Sequence, residues 1–563
     1  MNKPRIRIRA DGEIVGGDLA ALDFQSQRRD AARNDITELS GWIPGLNYSG
    51  SDPFGERERV LGRGRDLDRN NGWINGGIDR RVESVIGVNI RLNAQPVYSL
   101  LGKDFDWRTK WSADVQDRFR VWDRDIHHRC DARMRMSFGA IARLAYLSYV
   151  RDGEAAAEIR DDKRGIGNTT NVLLIEPERI SNPQDRAIME GPTLRDGVAL
   201  DANGAPTGFW VRSGHPNDPN PVLQNQRWDF VPRFGPTGRA KFVHVMNPRQ
   251  VEQNRGISRL AEVMVPAKML DRVDRAEVNA ALKSAIFSMF IKSPGRTEDV
   301  AASLAPADSQ AYQVDPWLNE YVELRKSNPV RVEGAQVNHL MPEEDVVFPA
   351  AMHPNSNYPD FARFILQKVA GSLGVSYPQM SQDWAGINYS SARALLNELW
   401  RSFLEDRQYF CHHFLTPIYA GWLEIEVLTG AIKIPGRVAN FYRNKTAICN
   451  AEWIGPGRGS VDPLKEANAN NLDEAAGRKS VVEAILESGR DPSDVLAEEL
   501  WYRKERERLG LPAVNNNVKI AAGSDGGEDG GGNGGSQDDR DGDGIPNEDK
   551  RKKGNSPTVG EGA

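Results

Sequence analysis

Residues 358–394 read YPDFARFILQKVAGSLGVSYPQMSQDWAGINYSSARA, and the change of character inside this stretch decides how the chain is organised. Its first half places Phe361, Phe364, Ile365, Val369 and Leu373 at spacings of three and four, the pattern of a helix with one apolar face. Pro359 suits the start of that helix, and Gly371 and Gly374 loosen or end its last turn. A polar loop with a single glycine follows, and Ser390 can cap a second helix. That helix carries Leu395, Leu399, Leu404, Phe410, Phe414, Ile418 and Trp422 towards Leu428, with a bend expected at Pro417.

Working outward, Lys292 to Ala350 is broken by Pro294, Pro306, Pro316, Pro329 and Pro342 and reads as a small inserted module with short strands. Before it, Leu260, Val263, Met264, Leu270, Val273, Val278, Leu282 and Phe290 predict one long helix over Ser258 to Phe290. At 1.5 Å per residue it spans about 50 Å, with a kink expected at Pro266. Between Ala155 and Asn247 the period is two. Strands are expected at Asn171 to Ile175, Gly208 to Ser213 and Lys241 to Met246, with turns at Asp196-Gly197 and Asn203-Gly204. Leu67 to Val150 is largely helical, with Val82, Val85, Ile86 and Ile90 on one face. Trp107, Trp111, Val115, Phe119 and Trp122 then form a row that could stack on bases but at helical spacing belongs to a core. Another helical block covers Pro463 to Leu509, with Val481, Ile485, Val495 and Leu500 expected to be buried. Met1 to Ser51 reads as an arm that orders against a neighbour. Beyond Asn515, thirteen glycines in the last 41 residues argue against a packed core. The fold class is α+β, mainly helical.

Composition excludes several classes. The 563 residues carry 73 basic and 79 acidic side chains, a net charge of −6. Residues 523–563 hold ten acids against five bases, so the other 522 residues sit at −1, with no general attraction to phosphate. No apolar run approaches the ~18 residues of a membrane span, and the basic N-terminus lacks the apolar stretch of a secretory signal. Cys130, Cys411 and Cys449 share no CxxC spacing, which excludes a thiolate zinc site and argues for reduced thiols. There is no GxxxxGK[ST], HExxH or GxSxG, and Gly455 to Ser460 lacks the lysine a phosphate loop needs. The adjacent pairs His127-His128 and His412-His413 point ~100° apart on a helix and do not chelate one ion. No cofactor and no catalytic residue is expected. In the tail, Asp539, Asp541, Asp543, Gly544 and Asn547 match the spacing of a calcium loop. Lys550 stands where a bidentate Glu would close the loop, however, and an acidic flexible tail is the reading preferred over calcium binding.

Several stretches together resemble the portal proteins of lambda-like tailed phages and prophages. The most specific are Tyr358 to Phe361, Leu373-Gly374-Val375-Ser376-Tyr377 and Asn388-Tyr389-Ser390-Ser391-Ala392-Arg393-Ala394, with Ser376-Tyr377-Pro378 departing from the usual Pro-Tyr. Others are Asp66 to Asn71 with Trp73, Arg151 to Glu154, Leu174 to Ile180, Gly208 to Val211, Arg255 to Ser258 and Asp462 to Ala467. The resemblance implies a ring of twelve copies at one capsid vertex, through which double-stranded DNA passes. It implies a terminase motor as partner, then head-completion proteins, with the major capsid protein and a scaffold or protease around it, in the virion and without a membrane.

The same resemblance divides the chain into an arm (1–51), a wing (52–257), a first stem helix (258–290), a clip (291–350) and a second stem helix (351–378). A tunnel loop (379–391), the long wing helix and following segment (392–458), a crown (459–510) and a tail (511–563) complete it. Gln382, Asp383, Trp384, Asn388, Tyr389 and Ser390 would then face DNA, and Glu343, Glu344 and Asp345 would dock partners on the clip. A DNA enzyme, such as a motor or nuclease, and a calcium-binding adhesive protein are the rival classes. The missing phosphate loop counts against the first and the missing signal sequence against the second.

Overall fold

A computed structural model describes residues 56–163, 167–183, 193–219, 227–286, 357–385, 387–436, 438–459 and 463–512. Helix α1 (Glu56–Asn70) is followed at once by α2 (Gly72–Val85), because the Asn71 side chain accepts a hydrogen bond from the Ile74 amide and restarts the helix. Strand β1 (Arg91–Ala94) leads to α3 (Phe105–Asp123), capped by Asp104, and α4 (Phe138–Arg151), capped by Ser137. The aromatic row of α3 is core. Trp111, Val115, Phe119 and Trp122 are buried, and Phe119 meets Phe138, Tyr419 and Trp422 edge-on.

The β-rich part contains β2 (Glu154–Asp161), β3 (Thr170–Ile175), β4 (Leu194–Arg195), β5 (Val198–Leu200), β6 (Pro206–Arg212), β7 (Trp228–Pro232) and β8 (Phe242–Met246). They form two antiparallel sheets of order β3-β2-β8 and β4-β5-β6-β7. Asp196-Gly197 makes the two-residue connection between β4 and β5, as its sequence predicts. Phe209, Val211 and Val198 from one sheet pack against Ala156, Leu173, Ile175 and Phe242 from the other, a small core separate from the main one.

Helix α5 (Met264–Ile286) begins later than expected. Leu260 and Val263 are buried, but in turns, and Pro266 falls in the first helical turn, where its missing N–H costs nothing and no kink results. The chain resumes with α6 (Tyr358–Leu373), a short α7 (Tyr377–Ser381) and the long α8 (Tyr389–Phe410). A π turn over Cys411–Leu415 joins α8 to α9 (Thr416–Leu428), so the irregularity expected at Pro417 is taken up one turn earlier and the proline sits in the first turn of α9. Then come α10 (Val438–Arg443), α11 (Lys445–Ile448) and β9 (Ala451–Ile454), which pairs antiparallel with β1. The main core runs from α2, α3 and α4 through the first sheet to α6, α8 and α9.

Helices α12 (Pro463–Ala475), α13 (Val481–Glu487) and α14 (Pro492–Arg508) bury no residue. Val481 and Leu500, expected inside, are more than half exposed, and Ile485 and Val495 are half-buried. The segment is held to α3 by polar anchors instead, Gln116 donating to Asp491 (3.0 Å) and Arg120 to Asp494 (3.0 Å). From Leu500 the chain forms a second compact unit, in which Arg506 stacks on Tyr502 and donates to the Pro512 carbonyl. No described helix is long and apolar enough to cross a membrane.

Candidate functional site

The loop between α6 and α8 is built by its caps. Helix α6 ends on Gly374, whose φ of 63° is the left-handed cap that glycine adopts freely, and its amide returns to the Ala370 and Gly371 carbonyls. Two residues on, Ser376 and Gln379 make a reciprocal capping box. The Gln379 amide donates to Ser376 Oγ (3.4 Å) and the Ser376 amide to Gln379 Oε1 (3.1 Å), which defines α7. The S-x-x-Q spacing of Ser376 and Gln379 is the signal of this box in the sequence.

Of the six residues expected to face DNA, Gln382, Trp384, Asn388 and Ser390 are exposed. Gln382 adopts a φ of 59° and its side chain donates to the Gln379 carbonyl (2.6 Å), while Trp384 is 44% exposed. Asp383 turns back on the protein: Oδ1 accepts from the Ala385 amide (3.0 Å), and Oδ2 accepts from Tyr377 (3.3 Å) and pairs with Arg363 (3.5 Å). Asn388 caps α8 by accepting from the Ser391 amide (2.8 Å), so the cap is Asn388 and not Ser390, which lies exposed in the first turn. Tyr389 opens α8. The loop thus presents polar and aromatic groups, and its one carboxylate is already paired. Glu343, Glu344 and Asp345, and the tail residues Asp539, Asp541, Asp543 and Asn547, lie outside the described residues.

Elsewhere, four of the stretches that carry the family resemblance meet in one buried ionic node. Glu154 is fully buried and accepts from Arg255 Nη2 (2.5 Å), His244 Nε2 (2.8 Å) and the Gly256 amide (2.9 Å). Arg255 also donates to the Pro177, Ile180 and Asp196 carbonyls, while Arg65 forks between Asp152 and Glu178, and Arg151 reaches Asp68. A Cβ on Gly256 would lie 2.2 Å from the Gly153 carbonyl oxygen, so the two stretches need glycine where their backbones touch. Burial pushes the Glu154 carboxyl up, but the charge of Arg255 and the hydrogen bond from His244 outweigh it and hold it well below the usual carboxylate range. A carboxylate so saturated has no lone pair left for proton transfer. The node is structural.

Glu176, Glu178 and His215 also lie close together. Both oxygens of Glu178 accept from Arg65, however, and His215 Nδ1 accepts from the Asn217 amide, which leaves the proton on Nε2 facing Glu178. No ligand set for an ion results. Burial pushes the Cys130 and Cys449 thiols up to about 12, which makes them poor nucleophiles. A cleft of about 710 Å³ beside the two sheets is lined by the ion pairs Arg160–Glu158 and Lys241–Asp161, by Arg179, which donates to the Arg212 carbonyl, and by Arg212, which stacks on Trp228, without a convergent nucleophile and base.

The family model described as phage portal protein, lambda family, matches residues 36–407. The portal protein of Escherichia phage N15 is 28% identical over 478 residues, 84% of this chain and 89% of that protein, and portal protein B of Escherichia phage lambda matches to the same extent. A probable portal protein of Halomonas phage phiHAP-1 is 24% identical, covering 82% of each chain. Among solved structures, a chain from the neck of an empty gene transfer agent particle is similar at 12% identity and a TM-score of 0.36, covering 80% of this chain and 94% of that one. At so low a score the assignment rests on the sequence matches. They show that the chain belongs to the lambda family of phage portal proteins.

Proposed function

We propose that the chain assembles head to tail into a ring, of twelve copies by resemblance, at one capsid vertex and serves as the conduit for double-stranded DNA in packaging and ejection. The observation that carries this reading is the loop between α6 and α8. It is flanked by hydrogen-bonded helix caps on both sides, exposes Gln382 and Trp384, and has its only carboxylate paired with Arg363. A conduit must let the duplex slide. Each lysine or arginine bound to phosphate would add counterion-release affinity and hence friction, so a neutral polar loop on a body of charge −1 is the better lining.

In this reading α5 and α6 are the stem helices, residues 379–391 the tunnel loop, α8 and α9 the long wing helix, and α12 to α14 the crown. The clip at 291–350 docks a terminase motor first and head-completion proteins later, Glu343, Glu344 and Asp345 offering it charge. The wing meets the major capsid protein and scaffold. The lambda portal family is structural; this copy carries no catalysis, and a separate ATPase drives packaging. The protein assembles in the host cytoplasm before it enters the virion.

Replacing residues 382–387 by glycine and serine at equal length tests the reading. The expected outcome is rings and capsids in normal number with DNA packaging or retention lost. Normal DNA content in those particles would remove the loop from the tunnel.

A further inference from the structure

The two helices that flank this loop are strapped to α2, α6 at its C-terminal end beside the loop and α8 near its far end, and the straps are buried arginines. At the α6 end, Arg81 Nη1 donates to the Leu373 (2.7 Å) and Gly374 (3.0 Å) carbonyls, two of the orphan acceptors at the helix terminus. A Cβ at Gly374 would lie 2.3 Å from that same Nη1, so the glycine is needed for the arginine as much as for its φ. Near the far end of α8, Arg81 Nη2 donates to Asp406 Oδ2 (2.9 Å). Asp406 also accepts from Arg259 Nη2 (2.8 Å) and from the Tyr146 hydroxyl. One residue on, Arg407 donates to the Val85 (2.7 Å) and Ser84 (3.0 Å) carbonyls at the end of α2. The Arg259 carbonyl, which precedes α5, accepts from Ser372 Oγ of α6 (2.6 Å). Beyond the strap at Gly374, Gln382 to Ile387 are held by bonds local to the loop and by the Asp383–Arg363 pair back to α6.

We propose that Arg81 and Asp406 are positioning residues that fix where the 379–388 loop stands, by clamping α6 and α8 to α2. The proposal builds on the tunnel-loop reading for its consequence, though the clamp itself does not depend on it. Packing alone does not account for the cluster. Two guanidiniums converge on one carboxylate, and a buried ion pair of this kind is often no more stabilising than well-packed apolar residues of the same volume. What it does supply is direction. Arg81 reaches two carbonyls of one helix and a carboxylate of the other only when the two helices hold one relative placement.

The test compares the assembled full-length protein with Arg81→Lys, Arg81→Met and Asp406→Asn by hydrogen–deuterium exchange. The amides of Gly374, Val375, Met380 and Gln382, all hydrogen-bonded at the loop base, should exchange about tenfold faster, while those of β2 and β8 stay within about twofold of the parent. Particles made with the same variants should contain the chain in normal amount and retain less DNA. Unchanged exchange at the loop base, or a uniform rise through the sheets as well, would overturn the proposal, the second by making these ordinary stability residues. Should Arg81→Met fail to assemble, Arg81→Lys, which keeps the charge and loses the fork, carries the comparison. Faster loop exchange with full DNA retention would leave the clamp standing and remove the tunnel-loop reading.

Discussion

Glu154 and Arg255 are 101 residues apart in sequence and share the best-satisfied buried charge pair of the β-rich region. Removing the carboxylate leaves the buried Arg255 charge with backbone carbonyls and the more distant Asp196 carboxylate (3.4 Å) as its partners, so Glu154→Gln should lower unfolding free energy by about 3 kcal/mol in denaturant titrations. The same pair sets an acid limit. Glu154 and Glu178 both titrate below the ordinary glutamate value of 4.5 in the folded protein, burial being outweighed by Arg255 and Arg65 respectively. Their contribution to stability is therefore complete above that value and is lost as pH falls through the folded values. Thermal unfolding midpoints should drop on acidification below pH 4.5, and the gap between parent and Glu154→Gln should narrow there. A gap independent of pH would contradict the assignment. In the sequence both residues stood inside recognised stretches, yet nothing local announced their pairing. A contact across a hundred residues leaves no periodicity to read.

Helix boundaries were legible where one face is apolar and the ends carry caps. Helix α6 was expected from Pro359 to about Leu373 and spans Tyr358–Leu373, because Val369, Leu373 and the Gly374 stop agree. Phe361 and Phe364 of the expected apolar face are exposed, however, and Leu366 and Ala370 are buried in their place. The start of α8 was not, since Asn388 and Ser390 are both capping types two residues apart, and only the backbone geometry selects between them. Asn388→Ala should therefore cost about 1 kcal/mol of stability, whereas Ser390→Ala should fall within about 0.5 kcal/mol of the parent. Equal effects would return the cap to Ser390. Strand β2 escaped the sequence reading for the opposite reason. Ala155, Ala156 and Ala157 favour a helix by propensity, but the strand lies between β3 and β8, where tertiary pairing decides. The exposed helices α12 to α14 show that an apolar period predicts a helix without predicting that its face is covered within one copy.

At the scale of the whole molecule, the small net charge is the property that the conduit reading uses most. Purified assemblies should bind duplex DNA weakly, and affinity should change by less than about tenfold between 50 and 200 mM salt, since few phosphates are neutralised. Fluorescence anisotropy with a short labelled duplex measures this, and a steep salt dependence would point to a gripping basic groove instead. The family was readable from residues 60 to 500 because its diagnostic stretches are short, local and in order. The loop's inward-turned Asp383 and the Arg81–Asp406 clamp were not, because both depend on which helices lie side by side. Imaging the purified full-length protein by electron cryomicroscopy tests the central claim most directly. The account predicts a closed ring of about twelve copies whose axial channel admits a duplex and is lined by residues 379–388. A monomer, or a ring with that loop on its outer surface, would contradict it.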